Sequence, residues 1–427
     1  QQGWYGSLKS IIPPITVPAW SCMMSSKDPG ELGIYGFRNR KDYSYDGLVF
    51  ANSTAVKEDR VWDILSRAGK QVIVLGVPGT YPPRPVRGSL VGCFLTPSAD
   101  SNYTYPLALK AELTMRFGPY LVDVENFRSE EKEHILEQIY RMTEQRFAMA
   151  RYLLKTRPWD FFMMVEMGTD RIHHAFWKFF DPTHPKYEKD NRFQNVIRDY
   201  YRFLDGQIAE LLPALGDESS VFVVSDHGAQ RMVGGVCINE WLQQEGYLHL
   251  AVSVTGLTPI AKARIDWSRT KAWGEGGYYS RLFLNVQGRE PQGVVPPQEY
   301  EALRKELRQK LEAMNDHTGV PLGTRVFKPQ QVYRAVRGIA PDLIVYFGNL
   351  RWRSVGSVGL GAIHTFENDT GPDDANHSEE GIFILREPGG RGQQLQGLSL
   401  LDIAPTILAR FGIAAPAGMQ GKVISTD

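Results

Sequence analysis

The chain has 427 residues with 48 acidic and 48 basic side chains, so its formal net charge is zero. This balance gives no electrostatic basis for binding a nucleic-acid polymer or a membrane surface, and no apolar run approaches the ~18 residues that a spanning helix needs. The 3 scattered cysteines argue against a disulfide framework; a cytoplasmic location is favoured, while the compartment and the oligomeric state stay open.

Apolar, strand-like runs alternate with helix-like segments through the first half of the chain. The predicted strands are Gln71–Gly76, Phe161–Val165 and Val221–Val224, and helical periodicity runs over Glu130–Lys155 and Asn195–Leu212. Near-continuous apolar strands that alternate with helices are typical of parallel sheets buried on both faces. We therefore predict an α/β fold with a mostly parallel central sheet and helices on both faces.

The region from 230 to 375 has a different character, with Gly- and Pro-rich stretches between isolated elements. These elements are a helix at Pro297–Met314 and strands at Arg281–Val286 and Leu343–Phe347. We interpret the region as an inserted cap over the carboxyl edge of the sheet, from which some strands can rejoin the main sheet. Its segment Lys271–Arg281 can contact a substrate or form an ordinary hairpin. Because the alternation resumes at Gly381–Leu385, the predicted core comprises 1–229 and 376–427, and the cap contributes to the substrate pocket.

Aspartate and histidine side chains lie beside three predicted strands. Asp226 and His227 follow one strand, Asp170 and His174 follow a second, and His377 precedes a third. In an open α/β sheet, the carboxyl ends of the strands form the crevice where ligands bind. Carboxylate and imidazole groups suit zinc. Together the five residues predict a site for one ion or for two neighbouring ions.

Each of these residues also has a structural alternative. Asp226 can cap a turn beside a hydrogen-bonded His227. A helix that starts near Thr169 would place Asp170 and His174 on one face, but the same position lets Asp170 interact with the helix dipole. No pair decides between the interpretations, whereas the order of all five ligands beside strand ends favours the metal site.

A candidate nucleophile, Thr16, lies in the segment Ile11–Trp20 (IIPPITVPAW). A threonine hydroxyl is unreactive at neutral pH, but a bound dication can lower its pKa and activate it. Alternatively, Thr16 caps the helix that follows the Pro-rich loop. Both roles can coexist, and a helix N-terminus would offer amide N–H groups to an anion.

The chain resembles the type I phosphodiesterase/nucleotide pyrophosphatase family of the alkaline phosphatase superfamily. The resemblance runs through nearly the whole chain in the order of the family's motifs, and it implies an alkaline phosphatase-like fold. Five segments carry it: Pro13–Ile34 (PPITVPAWSCMMSSKDPGELGI), Thr169–Trp177 (TDRIHHAFW), Val223–Gly228 (VVSDHG), His377–Leu385 (HSEEGIFIL) and Leu401–Leu408 (LDIAPTIL).

The resemblance implies a metal-dependent hydrolase of small phosphate esters, with diesters favoured. Thr16 would be the nucleophile that is transiently phosphorylated, at a site with two divalent ions, zinc or alternatively manganese. Asp226 and His227 would bind the ion beside Thr16. The residues that would bind the second ion, which activates water, are Asp170, His174 and His377.

The sequence departs from the family pattern at several positions. The family has a further Asp ligand at the end of a first strand, but no acidic residue precedes Thr16, and Gln1-Gln2-Gly3 lacks an initiator methionine. We therefore expect an upstream segment in the natural protein. Ala19 replaces an Asn that helps nucleotide pyrophosphatases hold the phosphoryl oxygen, and Leu32 replaces a His. Cys22 is not at the nucleophile position, which disfavours a sulfatase mechanism.

These departures leave two alternatives open. The first is a phosphonate hydrolase or a phosphomonoesterase that uses the same metal site. The second is a non-catalytic binding protein that keeps the fold and has lost one ion, and the absence of an acidic residue before Thr16 is the observation on which it depends.

Overall fold

The computed structural model describes residues 3–388, 390 and 392–426, so the Gln1-Gln2 start lies outside the described residues. The helices in these ranges are too short or too polar to cross a membrane. The elements up to residue 224 are β1 (Trp4–Lys9), α1 (Thr16–Ser25), α2 (Pro29–Leu32), β2 (Arg38–Arg40), β3 (Leu48–Phe50), α3 (Val61–Arg67), β4 (Val72–Leu75), β5 (Gly88–Val91), β6 (Thr104–Tyr105), α4 (Ala108–Phe117), α5 (Lys132–Thr156), β7 (Phe161–Met164), α6 (Gly168–Phe180), α7 (Val196–Leu215) and β8 (Val221–Val224).

The rest of the chain forms smaller sheets before it returns to the core. Its elements are β9 (Gly228–Arg231), β10 (Gly234–Cys237), α8 (Ile238–Gln244), β11 (Ala272–Glu275), β12 (Ser280–Leu284), α9 (Tyr300–Glu312), β13 (Arg325–Phe327), α10 (Pro329–Val332), β14 (Leu343–Tyr346), β15 (Trp352–Val355), β16 (His364–Thr365), β17 (Ala375–Ser378), β18 (Glu380–Arg386), β19 (Gln393–Gln394), β20 (Leu398–Ser399) and α11 (Ile403–Arg410). Short 3₁₀ turns cover Ile260–Lys262, Pro297–Glu299, Gly348–Leu350 and Leu400–Asp402.

The strands of the predicted central sheet form two separate hydrogen-bonded sheets, and the first is mostly parallel with helices on both faces. β4 lies between β5 and β7 and is parallel to both, and β6 adds an antiparallel edge. Val72 and Val74 of β4 pack into one hydrophobic cluster with α3 and α6, whereas Ile73 and Leu75 pack into another with α4 and α5. Alternate side chains of a strand point to opposite faces, so the predicted helical layers on both faces are confirmed here.

The second of these two sheets is mixed. Its strand order is β19-β1-β18-β8, with β20 also beside β1, and β18 is antiparallel to both β1 and β8. β1 was not predicted from the sequence, and it is not the acid-ended strand that the resemblance implies, because Ser10 follows it. Within the described ranges, β7 pairs only with β4, and β8 pairs only with β18.

The region between β9 and β17 has its own hydrophobic core. β10, β15 and β16 form one sheet, β11 to β14 form another, and α8 and α9 pack with them in a cluster separate from that of the central sheet. In the part of the chain that the structure describes, these strands do not rejoin the main sheet, so that alternative is not observed. β9 and β17 pair as an antiparallel ribbon, with Gly228 opposite Ser378, which brings the two ends of the region together.

Candidate metal centre and active site

Helix α6 presents two of the predicted ligands on one face. β7 ends at Met164 and α6 begins at Gly168, so Asp170 lies in the first turn and His174 lies one turn later. The Oδ1 atom of Asp170 is 3.3 Å from Nε2 of His174 and 3.9 Å from Nε2 of His377. The structure therefore brings these three predicted ligands together, although they come from segments about 200 residues apart.

The turn between β8 and β9 places the adjacent acid and imidazole. Nε2 of His227 is 3.2 Å from Oδ2 of Asp226 and 3.3 Å from the Thr16 hydroxyl. Gly228 is required next to them because a Cβ at this position would lie 2.1 Å from the backbone oxygen of Glu380. A larger side chain would push β9 away from β18 directly beside the Asp226-His227 pair.

The ring of His377 is fixed from two sides. It lies in β17, its Nδ1 is 2.7 Å from the backbone oxygen of Pro14, and it stacks on His227 with ring centres 3.6 Å apart. Because Nδ1–H donates to a carbonyl, the lone pair lies on Nε2. His377 thus offers Nε2 towards Asp170, in the neutral form that a metal ligand requires.

Thr16 is the first residue of α1 and is almost completely buried. The N-cap position belongs to Ile15, which has no side-chain cap, so the structure does not show the alternative capping role of Thr16. Its hydroxyl lies instead beside His227. The N-terminal end of a helix favours a negatively charged group, so an anionic group is favoured beside the Thr16 hydroxyl.

The site suits a divalent metal ion. Ligand atoms of Asp170, His227 and His377 all lie within 4.8 Å of one another. The buried Oδ2 atom of Asp226 has no hydrogen-bond partner among the described residues, although buried polar atoms normally have one. A cation beside His227 would satisfy it. This compact group combines residues that were assigned to two different ions, so the division of ligands between two ions stays a prediction.

The electrostatics of the site follow from burial and from neighbouring charges. Burial raises the pKa of the Asp226 carboxyl to about 6. Burial alone would also raise the pKa of Asp170, but His174 and Arg171 together hold it well below its usual range. Burial and the nearby His227 hold the pKa of His377 well below its ordinary value. The site therefore contains a neutral imidazole and an anionic carboxylate without any added ion.

Sequence reasoning missed a residue that contacts the site, Asp373. Its buried Oδ1 is 2.7 Å from Nδ1 of His174, and its Oδ2 accepts hydrogen bonds from Arg128 and Tyr278. Burial tends to lower the pKa of His174, but Asp373 and Asp170 raise it to about 9. A carboxylate on the second ring nitrogen is the usual arrangement around a metal-binding histidine. The only sequence signal was an acidic pair just ahead of His377.

A cavity of about 570 Å³ lies beside Arg128, the arginine that donates to Asp373. Asp123, which lines the cavity, accepts two hydrogen bonds from Arg171, and Arg171 contacts Asp170. The cavity is therefore two side chains from the candidate metal ligands. Its lining residues are Asp123, Val124, Asn126, Phe127, Arg128, Ser129, Glu131 and Thr370.

Comparison with models of protein families matches residues 1–373 to the family described as "Type I phosphodiesterase / nucleotide pyrophosphatase". The matched region includes Thr16 and the predicted ligands on α6 and after β8, and it ends just before His377. Comparison with curated proteins finds no match.

Several solved structures share the fold. Human ectonucleotide pyrophosphatase/phosphodiesterase 5 is 13% identical, with a TM-score of 0.54 over 99% of this chain and 90% of that chain. Phosphonoacetate hydrolase from Sinorhizobium meliloti is 14% identical, with a TM-score of 0.56 over 94% and 85%. A variant of alkaline phosphatase PafA is 13% identical, with a TM-score of 0.58 over 99% and 92%. The predicted alkaline phosphatase-like α/β fold is thus confirmed. The chain belongs to the type I phosphodiesterase/nucleotide pyrophosphatase family and is a phosphoric ester hydrolase.

Proposed function

We propose that this protein hydrolyses small phosphate esters, with diesters favoured, through a phosphothreonine intermediate on Thr16 at a site with two divalent metal ions. The observation that carries the proposal is the buried Thr16 hydroxyl, 3.3 Å from Nε2 of His227, at the start of α1. His227 also belongs to the compact group of potential metal ligands. A nucleophile, an anion-favouring helix end and a cation site thus meet at one point.

The proposed ligands divide into two sets. Asp226 and His227 would hold the ion beside Thr16. Oδ2 of Asp226 supports this assignment, because it is buried without a hydrogen bond among the described residues and lies 3.2 Å from Nε2 of His227. The second ion would be held by Asp170, His174 and His377. When bound, the ions would lower the pKa of the threonine hydroxyl and of water and would balance the charge of the phosphoryl oxygens. Zinc suits the ligands best, and manganese is the alternative.

The proposed reaction has two displacements. The Thr16 oxygen loses its proton and forms a bond to phosphorus while the bond from phosphorus to the leaving oxygen breaks, and the leaving oxygen takes up a proton. A water oxygen then bonds to phosphorus as the bond to Thr16 breaks. The threonine oxygen regains a proton, and the phosphate product leaves. α1 holds the nucleophile in place, because Thr16 is part of a helix whose ten residues are all buried.

Two of the similar structures suggest substrates to test. A murine ectonucleotide pyrophosphatase/phosphodiesterase 5 that is inactive because a threonine is replaced by alanine was solved in complex with AMP. The Sinorhizobium meliloti phosphonoacetate hydrolase was solved with phosphonoacetate. Phosphonate hydrolysis is our second candidate, and Ala19 favours it over nucleotide pyrophosphatase activity. This residue is fully buried and offers no polar group one turn after Thr16.

A substrate panel tests the proposal directly. Bis(p-nitrophenyl) phosphate, p-nitrophenyl phosphate and phosphonoacetate would be assayed with added zinc or manganese, using wild type, Thr16→Ala and Thr16→Ser. We expect Thr16→Ala to lose more than about 10³-fold of turnover, the scale seen when a covalent nucleophile is removed. Thr16→Ser keeps a hydroxyl, and we expect partial activity together with a trapped phosphoryl group by mass spectrometry. Substantial activity of Thr16→Ala would refute the covalent step.

Elemental analysis separates the enzyme from a non-catalytic binder. About two zinc ions per chain are expected for the two-metal mechanism, and one or none would support a binding protein. Asp226→Ala should reduce the metal content. As a control, Asp205 of α7 is exposed and is not a proposed ligand, so Asp205→Ala should leave the metal content unchanged.

We also propose that residues 230–375 act as a cap that shapes the leaving-group pocket on a core formed by 1–229 and 376–427. Two observations support this division. The region has a hydrophobic cluster of its own, and the β9–β17 ribbon joins its two ends beside His377. Exchanging this region between relatives while keeping Tyr278 and Asp373 should change substrate preference more than metal content.

A further inference from the structure

We propose that Tyr278 is a positioning residue that the inserted region supplies to the metal centre. It lies on the Gly-rich turn between β11 and β12, 104 residues after His174 in sequence. Its ring stacks on His174, with ring centres 4.9 Å apart and an angle of 19° between the planes. Its ring centre also lies 4.3 Å from that of His377. One side chain of the insertion thus contacts two proposed metal ligands. This inference rests on the proposed function.

The hydroxyl of Tyr278 completes a closed hydrogen-bond network behind His174. It accepts from Nη2 of Arg128 at 2.7 Å and donates to Oδ2 of Asp373 at 3.1 Å. Nε of Arg128 donates to the same carboxylate oxygen at 3.1 Å. Because the other oxygen of Asp373 accepts from Nδ1 of His174, the network fixes this imidazole with Nε2 facing Asp170, the side on which a cation would bind.

The backbone at Tyr278 is tied to the other stacked histidine. The side-chain amide of Asn376 donates to the Tyr278 backbone oxygen at 3.0 Å, and its oxygen accepts from the backbone N–H of His377 at 2.7 Å. Asn376 is completely buried. A displacement of the turn would therefore move the strand that carries His377 as well as the ring that packs on it.

The glycines explain how the turn comes so close. Gly277 exchanges two backbone hydrogen bonds with Ser354, both 2.8 Å long. A Cβ at Gly276 would lie 2.3 Å from the backbone nitrogen of Gly356, so a larger residue would push the turn away. The segment Lys271–Arg281, which the sequence left open between substrate contact and ordinary hairpin, is thus a hairpin whose tip packs against the metal centre.

The expected consequence is that Tyr278 sets metal affinity by fixing both imidazole planes. Substitutions that remove such outer contacts typically cost 10- to 100-fold in metal affinity or activity. We expect Tyr278→Leu, which loses both ring and hydroxyl, to weaken Co²⁺ binding by about that factor. Tyr278→Phe keeps the stacking, so its affinity should lie between those of Tyr278→Leu and wild type.

The experiment is a Co²⁺ titration of metal-free protein, followed by the visible absorption of the bound ion. The matched control is Tyr279→Phe. In the wild type, the buried hydroxyl of Tyr279 donates to the backbone oxygen of Tyr35 and not to the network behind His174. A loss of stability alone would affect both positions. Only the Tyr278 variants should change Co²⁺ affinity and shift the visible absorption spectrum of the bound ion.

The outcomes separate this inference from the proposed function. If wild type binds no Co²⁺, the metal site itself is wrong, and the inference is overturned with it. If wild type binds Co²⁺ and a folded Tyr278→Leu binds it equally well, the positioning role alone is refuted. If Tyr278→Leu does not fold, Tyr278→Phe decides: weaker binding with a shifted spectrum supports the role, and wild-type binding with an unchanged spectrum overturns it.

Discussion

Replacing Asp373 with asparagine is expected to weaken both the metal site and the fold, because one buried carboxylate supports three different partners. Its Oδ1 accepts from His174 at 2.7 Å, and its Oδ2 accepts from Arg128 and from Tyr278, each at 3.1 Å. Asparagine is nearly isosteric, so the packing stays the same. What changes is the charge and one acceptor, since the new amide nitrogen would direct its hydrogens at Nε–H of Arg128.

The magnitude follows from the contacts. Two hydrogen bonds to a charged carboxylate are lost or weakened, and each is worth about 1.5–3 kcal/mol. The side chain of Arg128 is 28% exposed, so water can replace part of its lost bond. We therefore expect Asp373→Asn to lower the free energy of unfolding by about 2–4 kcal/mol. The altered partner of His174 should also weaken Zn²⁺ binding by about 10- to 100-fold.

The assay is urea unfolding of metal-free protein, because a bound ion would add its own stabilisation. Asp374 offers a matched control one residue away. It is also buried, but its Oδ2 has no hydrogen-bond partner in the described ranges, and burial raises its pKa to about 7. Neutralising this carboxyl removes no bond at that oxygen, so Asp374→Asn should change the free energy of unfolding by less than about 1 kcal/mol.

The ranking of the two variants decides the matter. If Asp374→Asn is destabilised as much as Asp373→Asn, the loss reflects buried charge in general and not the bonds to His174 and Arg128. If Asp373→Asn loses stability but binds Zn²⁺ with wild-type affinity, its link to the proposed ligand has no functional consequence. Either result would refute the reasoning.

Three further predictions concern the nucleophile, two glycines and an ion pair. Thr16→Ala should keep its fold and metal content but lose turnover, and a chelator should abolish wild-type turnover until zinc is restored; activity that survives chelation would contradict the metal site. By urea unfolding, Gly206→Ala in α7, where a Cβ meets nothing within 4 Å, should stabilise by about 0.5–1 kcal/mol. Gly228→Ala would put its Cβ 2.1 Å from a β18 carbonyl and should cost about 1–3 kcal/mol; equal effects would show that the ribbon tolerates a side chain. Burial tends to raise the pKa of Glu387, but Arg410 holds it below its usual range, so Glu387→Gln should cost about 0.5–1 kcal/mol at neutral pH. That difference should vanish as the pH falls through the depressed pKa of Glu387, and a difference that persists in acid would show another origin.

The elements that the sequence predicted are those with a local physical signature. β4, β7 and β8 are continuous apolar runs, and a strand buried on both faces requires such runs. The helical spacing of apolar residues predicted α5 and α7 in the same way. Asp170 and His174 could be paired in advance because one helical turn separates them. These predictions needed only neighbouring residues.

The features that escaped prediction depend on distant partners. β1 is stabilised by pairing with β18, almost 380 residues later, and its sequence WYGSLK has no strong alternation of its own. Asp373 meets His174 across 199 residues. No local pattern marks an acid as the partner of one particular imidazole. The position of Tyr278 depends likewise on contacts between the insertion and β17, which only the assembled fold defines.

β7 pairs with β4 and β8 pairs with β18, and this arrangement has a consequence for the further strands that the two sheets can accept. In the part of the chain that the structure describes, each strand has a single partner, so each has an edge of backbone groups without a neighbouring strand. Apolar side chains on both strands are only partly buried, among them Phe162, Met163 and Val223. Open apolar edges are templates for strands of other molecules. The open edges of β7 and β8 can therefore pair with a further strand, and such a strand would cover apolar side chains next to the ends that carry the proposed metal ligands.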